Sequence, residues 1–131
     1  MENALKQLRE FHEVYNLNRV KTPQLPCPKE RNLRKNLLEE EYKEYLSGEE
    51  NNDIVEIADA LADIIYIAVG TAVSYGIPLD KIFNEVHNSN MSKLDKDGKP
   101  IYREDGKILK GPNYFKPNIK EIIENEKSSV L

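Results

Sequence analysis

The stretch DIVEIADALADIIYIAVGTAVSYG, residues 53–76, decides the fold. Asp53, followed three residues later by Glu56, has the pattern of an N-cap with its N3 partner, and Gly76 supplies a stop, so the spacing predicts one long helix ending at Tyr75. Ile54, Ile57, Ala58, Leu61, Ala62, Ile64, Ile65, Ile67, Ala68, Val69 and Ala72 surround nearly its whole circumference. Such a helix must be enclosed by other helices, a partner subunit's included. Within this apolar cylinder Glu56, Asp59 and Asp63 fall in one sector of roughly 60°. Carboxylates so placed are costly unless they are paired or bind a cation.

Working outward, the chain reads as helical. Leu5, Leu8, Phe11, His12 and Tyr15 mark an amphipathic helix from about Asn3 to Asn16. Pro23, Pro26 and Pro28 interrupt the pattern, and a second helix is expected from Pro28 to Ser47, before Gly48. A fourth begins at Pro78 or Leu79 and fades near Met91. From Lys93 to Pro117 the period disappears; Asp97-Gly98, Asp105-Gly106 and Gly111-Pro112 mark turns, with a short strand expected over Lys99 to Glu104. A last short helix follows Asn118, with Glu121 in the capping-box position.

The bulk numbers narrow the function classes. At 131 residues with 39% hydrophobic content, one domain spanning residues 1–131 is expected. A net charge of -4 argues against a binder of nucleic-acid polymers, which needs many Lys and Arg facing phosphates. The single cysteine, Cys27, cannot form an internal disulfide, and no secretory signal or membrane span is visible, so the cytoplasm is the expected location.

Charge is segregated along the chain. Leu38 to Asp63 holds ten acids against Lys43 alone, whereas Lys93 to Lys116 holds seven bases against four acids. On the second helix Glu41 and Glu44 lie one turn apart and continue the stripe of Leu33 and Leu37. Facing helices that bear such carboxylates form an oxygen cage suited to Mg²⁺, with Mn²⁺ as a substitute, while the basic segment could hold phosphates. The bland alternative is a solvated acidic face, with Asp59 and Asp63 ion-paired to bases on another helix.

Glu40-Glu41-Tyr42-Lys43-Glu44 followed by Glu56-Ile57-Ala58-Asp59 resembles the ExxE…ExxD signature of the all-α NTP pyrophosphohydrolases, the MazG-like superfamily. Phe11-His12-Glu13, the run from Ile57 to Tyr66, Val86 to Lys93 with its Asn-Met-Ser-Lys motif, and Asp105 to Phe115 are similar to the phosphoribosyl-ATP pyrophosphohydrolase-like branch. The resemblance implies a four- to five-helix bundle with a C-terminal loop or small hairpin, assembled as a homodimer or homotetramer. It implies Mg²⁺-dependent cleavage of a (deoxy)nucleoside triphosphate to the monophosphate and pyrophosphate. It further implies Glu41, Glu44, Glu56 and Asp59 as metal ligands, with Glu40 as a further ligand or the residue that activates water. Asn90 and Lys93 would contact the nucleotide, Lys110 and Tyr114 would close over it with Lys107, and Phe11 and His12 would border the base. The rivals are a true phosphoribosyl-ATP pyrophosphohydrolase and a non-catalytic helical metal-binding module; the long loop after Lys93 is closer to the MazG-like branch.

Overall fold

The computed structural model describes residues 1–129, which form α1 (Glu2–Val14), α2 (Pro28–Glu50), α3 (Ile54–Tyr75), α4 (Leu79–Met91) and α5 (Ile119–Ser129), with no regular strand among them. The helix at residues 54–75 is as the sequence predicts. Asp53 Oδ1 accepts from the backbone N–H groups of Val55 and Glu56, and Gly76 ends the helix in the left-handed region at φ 71°. A Cβ at Gly76 would lie 2.5 Å from the Thr22 carbonyl oxygen, so both space and backbone conformation call for glycine. The other half of the expected capping box does not form: the Asp53 N–H donates to Gly48 O instead.

The expected end of α2 before Gly48 is corrected. The helix runs on to Glu50, and Gly48 is buried inside it, where a Cβ would meet the Ile57 backbone nitrogen and side chain at 3.0 Å. Its missing side chain lets the two helices approach closely just before the turn. Asn52, at φ 51°, then reverses the chain. The result is an antiparallel pair, α2 against α3, with α1 packed along the C-terminal half of α3.

Leu5 and Leu8 of α1 form the core with Val69, Ala72 and Val73 of α3, flanked by Ala4, Ile77 and Leu79. A polar network sits beside it. His12, 1% exposed, donates from Nδ1 to Asn18 O, because a carbonyl can only accept. The Asn18 amide donates to Ser74, whose hydroxyl donates to Glu30. Burial lowers the His12 pKa, which favours the neutral ring. The loop after α1 is tied to the end of α3 by Val20 N–H to Val73 O and Gln24 N–H to Tyr75 O.

The N-terminal half of α3 is not enclosed within one chain. Ile54, Ala58, Leu61, Ile65 and Ala68 form an exposed stripe on the side of the helix away from Asp63, and Ile54 is 75% exposed. After Lys93 the expected strand over Lys99 to Glu104 reduces to a single antiparallel bridge, Tyr102 with Ile108. Around it, Arg103 N–H to Lys107 O and Leu109 N–H to Ile101 O close a small hairpin at Asp105-Gly106. Among the described residues no helix is long and apolar enough to cross a membrane.

Candidate active site

Glu41 lies nine residues before the end of α2 at Glu50, and Asp63 nine residues after the start of α3 at Ile54. In an antiparallel hairpin equal counts from the turn place residues at the same height, and Glu44 is one turn along α2 on the same face. One carboxylate oxygen each from Glu41, Glu44 and Asp63 accordingly lies within 4.8 Å of the others. Glu41 and Asp63 are half-buried and Glu44 is exposed, so the group opens on one side to solvent.

Three like charges this close oppose one another. Burial first, and then the neighbouring Glu44 and Asp63, push the Glu41 carboxyl up to about 7. Glu41 Oε2 is shielded from solvent and has no hydrogen-bond partner. A buried oxygen without a donor is costly, and a divalent cation is a natural partner for it among three hard carboxylate ligands. The residues therefore fit Mg²⁺ or Mn²⁺. Ion pairing does not satisfy them: among the described residues the salt bridges are Lys43–Glu39, Lys81–Glu126 and Arg103–Asp105, and none joins the acidic helices to the basic segment.

The structure thus brings together Glu41 and Glu44 of the expected ligands, with Asp63 as the contribution of α3. Asp59 is exposed one turn nearer the start of α3 and Glu56 is half-buried a further turn back; neither belongs to the three-carboxylate group. Glu40 is exposed beside Glu41. Lys93, Lys110 and Tyr114 form a second assembly. Gly111 N–H donates to Lys93 O at 2.8 Å, Tyr114 N–H donates to Gly111 O, and Lys110 Nζ stands 4.8 Å from the centre of the Tyr114 ring. Gly111 is needed there because a Cβ would fall 1.9 Å from the Leu94 carbonyl oxygen. Asn90 is exposed near the end of α4, and its carbonyl accepts the Lys93 N–H.

His12 is a core residue rather than a wall of an open pocket, whereas Phe11 packs edge-on against Tyr66 and also contacts Tyr15. A cavity of about 630 Å³ lies at the other end of α3, among Arg9, Arg19, Val73, Ile77 and Glu126. It contains none of the clustered carboxylates.

The profile of the phosphoribosyl-ATP pyrophosphohydrolase family matches residues 8–90, which include α2, α3 and all three clustered acids. The chain belongs to this family. It thereby joins the MazG-like all-α superfamily that the ExxE…ExxD pattern resembles. The fold of this family member is similar to the crystal structure of a candidate NTP pyrophosphohydrolase from Exiguobacterium sp. 255-15, with a TM-score of 0.57, 19% identity and 98% of each chain covered. It is also 29% identical over 90 residues to the uncharacterized protein L479 of Acanthamoeba polyphaga mimivirus. That match covers 69% of this chain and spans 33% of the viral relative's length.

Proposed function

We propose that the protein is a Mg²⁺-dependent nucleoside triphosphate pyrophosphohydrolase of the cytoplasm, converting a (deoxy)nucleoside triphosphate to its monophosphate and pyrophosphate. The observation that carries this reading is the Glu41–Glu44–Asp63 group, with its buried and unpartnered Glu41 oxygen. Glu41, Glu44 and Asp63 would hold Mg²⁺, with Glu56 and Asp59 as further oxygen donors for a second ion. When bound, the ion supplies Lewis-acid polarisation of a phosphoryl oxygen and acidifies a water.

The protein's own groups perform the remaining tasks. Glu40 takes the proton of the attacking water, whose oxygen bonds to the α-phosphorus as the bond to the α-β bridging oxygen breaks and pyrophosphate leaves. Lys93 and Lys110 neutralise phosphate charge, and Asn90 and Tyr114 orient the nucleotide. The exposed α3 stripe of Ile54, Ala58, Leu61, Ile65 and Ala68 has the spacing of a helix-packing seam. It supports a homodimer or homotetramer in which a second copy covers that face.

The description of the matching family favours a second reading, phosphoribosyl-ATP as substrate of the same chemistry. Purified protein would be incubated with each common NTP and dNTP and with phosphoribosyl-ATP, in Mg²⁺ and then in EDTA, and the products resolved by ion exchange. Monophosphate and pyrophosphate formed only with Mg²⁺ are expected from at least one dNTP. Cleavage of phosphoribosyl-ATP alone would transfer the assignment to the second reading, and no product from any of them would leave a non-catalytic helical metal-binding module.

A further inference from the structure

The least expected buried side chain in the hairpin is a charged one. Arg34 of α2 is 6% exposed, and among the described residues no acid forms a salt bridge with it. Its Nε donates to Thr71 Oγ1 at 3.0 Å and its Nη2 donates to Ile67 O at 3.1 Å, so both bonds reach across to α3. The Thr71 hydroxyl in turn donates to the same Ile67 carbonyl at 2.8 Å. The guanidinium lies in space left by Gly70: a Cβ there would stand 2.7 Å from Nη2 and 3.1 Å from His12 Nε2.

The position of this contact matters. Arg34 lies sixteen residues before the end of α2, and Gly70 sixteen after the start of α3. Arg34 precedes Glu41, and Asp63 precedes Gly70, by seven residues each. Seven residues are close to two full turns, about 10.5 Å of rise with about 20° of net rotation. The Arg34–Gly70 layer and the Glu41–Asp63 layer are thus the same α2–α3 register read at two heights on one face.

Apolar packing alone is a weak ruler for this register. Along α2 the buried residues are Arg34 and Gly48, whereas Leu37 and Tyr45 are half-buried and Leu33, Leu38 and Leu46 are exposed. A slip of one residue moves a side chain by about 1.5 Å along the axis and about 100° around it. A slip of this size would separate oxygens that now lie within 4.8 Å. Directional hydrogen bonds from a planar guanidinium resist such a slip, and a buried charge left without acceptors penalises every other register.

We propose that Arg34, seated against Gly70, is a positioning residue that sets the register of α2 on α3 and so assembles the Glu41–Glu44–Asp63 group two turns away. Its consequence for metal binding rests on the reading of that group given above; its consequence for helix register does not.

Two readouts on the full-length protein keep these apart. The first is Mn²⁺ binding followed by electron paramagnetic resonance. The second, without metal, is the distance between spin labels placed at Lys43→Cys and Ala62→Cys, both exposed and outside the apolar α3 stripe, in a Cys27→Ser background. Arg34→Met and Gly70→Ala are compared with Leu5→Ala, which loosens the α1 core without touching the α2–α3 contact. Arg34→Met and Gly70→Ala should shift or broaden the spin-label distance and raise the Mn²⁺ Kd about tenfold or more, the displacement of about 1.4 kcal/mol expected when one ligand is misplaced. Leu5→Ala should leave both readouts near wild type even where it lowers the melting temperature as much. An unchanged distance in folded Arg34→Met or Gly70→Ala, or an equal change in Leu5→Ala, would overturn the proposal. If wild type binds no Mn²⁺ while the distance still shifts in the two variants, the register role stands and the metal reading fails.

Discussion

Replacing Glu41 by glutamine should stabilise the metal-free protein at alkaline pH while removing its response to Mg²⁺. The Glu41 carboxyl is raised from 4.5 to about 7, first by burial and then by Glu44 and Asp63. A group raised in this way contributes stability that is fully present below pH 4.5 and disappears as the pH climbs through about 7. Holding a carboxyl one pH unit above its ordinary value reflects about 1.4 kcal/mol against its ionised form. Solvent on the open side of this half-buried group reduces the total, leaving about 1–2 kcal/mol of strain in the ionised, metal-free site. Glutamine keeps the shape, carries no charge and can donate from its amide to Glu44 or Asp63. For a chain of this length the difference amounts to a melting temperature about 3–8 °C above wild type at pH 8. Thermal melts followed by circular dichroism in EDTA at pH 4 and pH 8 would measure it. Wild type and Glu41→Gln should melt together at pH 4 and separate at pH 8, and saturating Mg²⁺ should raise only wild type. Equal melting temperatures at pH 8, or a gap that does not change with pH, would refute the reasoning.

Asp63→Asn should abolish the Mg²⁺-induced thermal shift and lower turnover by about a hundredfold or more, the loss of one ligand charge at a crowded cation, whereas Asp59→Asn, which bears on the second ion, should keep most of the shift and lose less turnover than Asp63→Asn. Parallel melts and initial rates for the two variants decide between them. Gly111→Ala forces apart the Lys93–Gly111 closure of the basic segment; steady-state kinetics should show KM raised about tenfold with kcat within about threefold. Ile65→Glu places a charge on the exposed α3 stripe, and light scattering coupled to size exclusion should show a monomer where wild type is a dimer or tetramer.

Residues 53–76 are legible because their signals are local: Asp53 caps, Gly76 stops, and the residues between them are apolar apart from one acidic sector and a few small or polar side chains. Gly48 misled because a glycine late in a helix reads as a terminator; its actual role is close approach to Ile57, a contact that exists only once the hairpin has closed. The same limit applies to the ligands. The sequence placed Glu56, Asp59 and Asp63 in one sector, but choosing among them requires the height of Glu41 and Glu44 on the facing helix. Counting residues outward from the Asn51-Asn52 turn would have selected Asp63. Arg34 left a fainter trace. It reads as a surface arginine, although it stands two turns before Glu41 on the inward-facing stripe. Its burial depends on Gly70 and Thr71, which belong to another helix.

In the proposed function Glu41, Glu44 and Asp63 support hydrolysis between the α- and β-phosphates. The most direct test is ³¹P NMR of a dNTP that the protein turns over in Mg²⁺, with wild type and with Glu41→Gln. Wild type should yield nucleoside monophosphate and pyrophosphate in equal amounts with no inorganic phosphate, and the variant should leave the triphosphate intact. Nucleoside diphosphate with inorganic phosphate, or the same products from Glu41→Gln at the wild-type rate, would contradict the account.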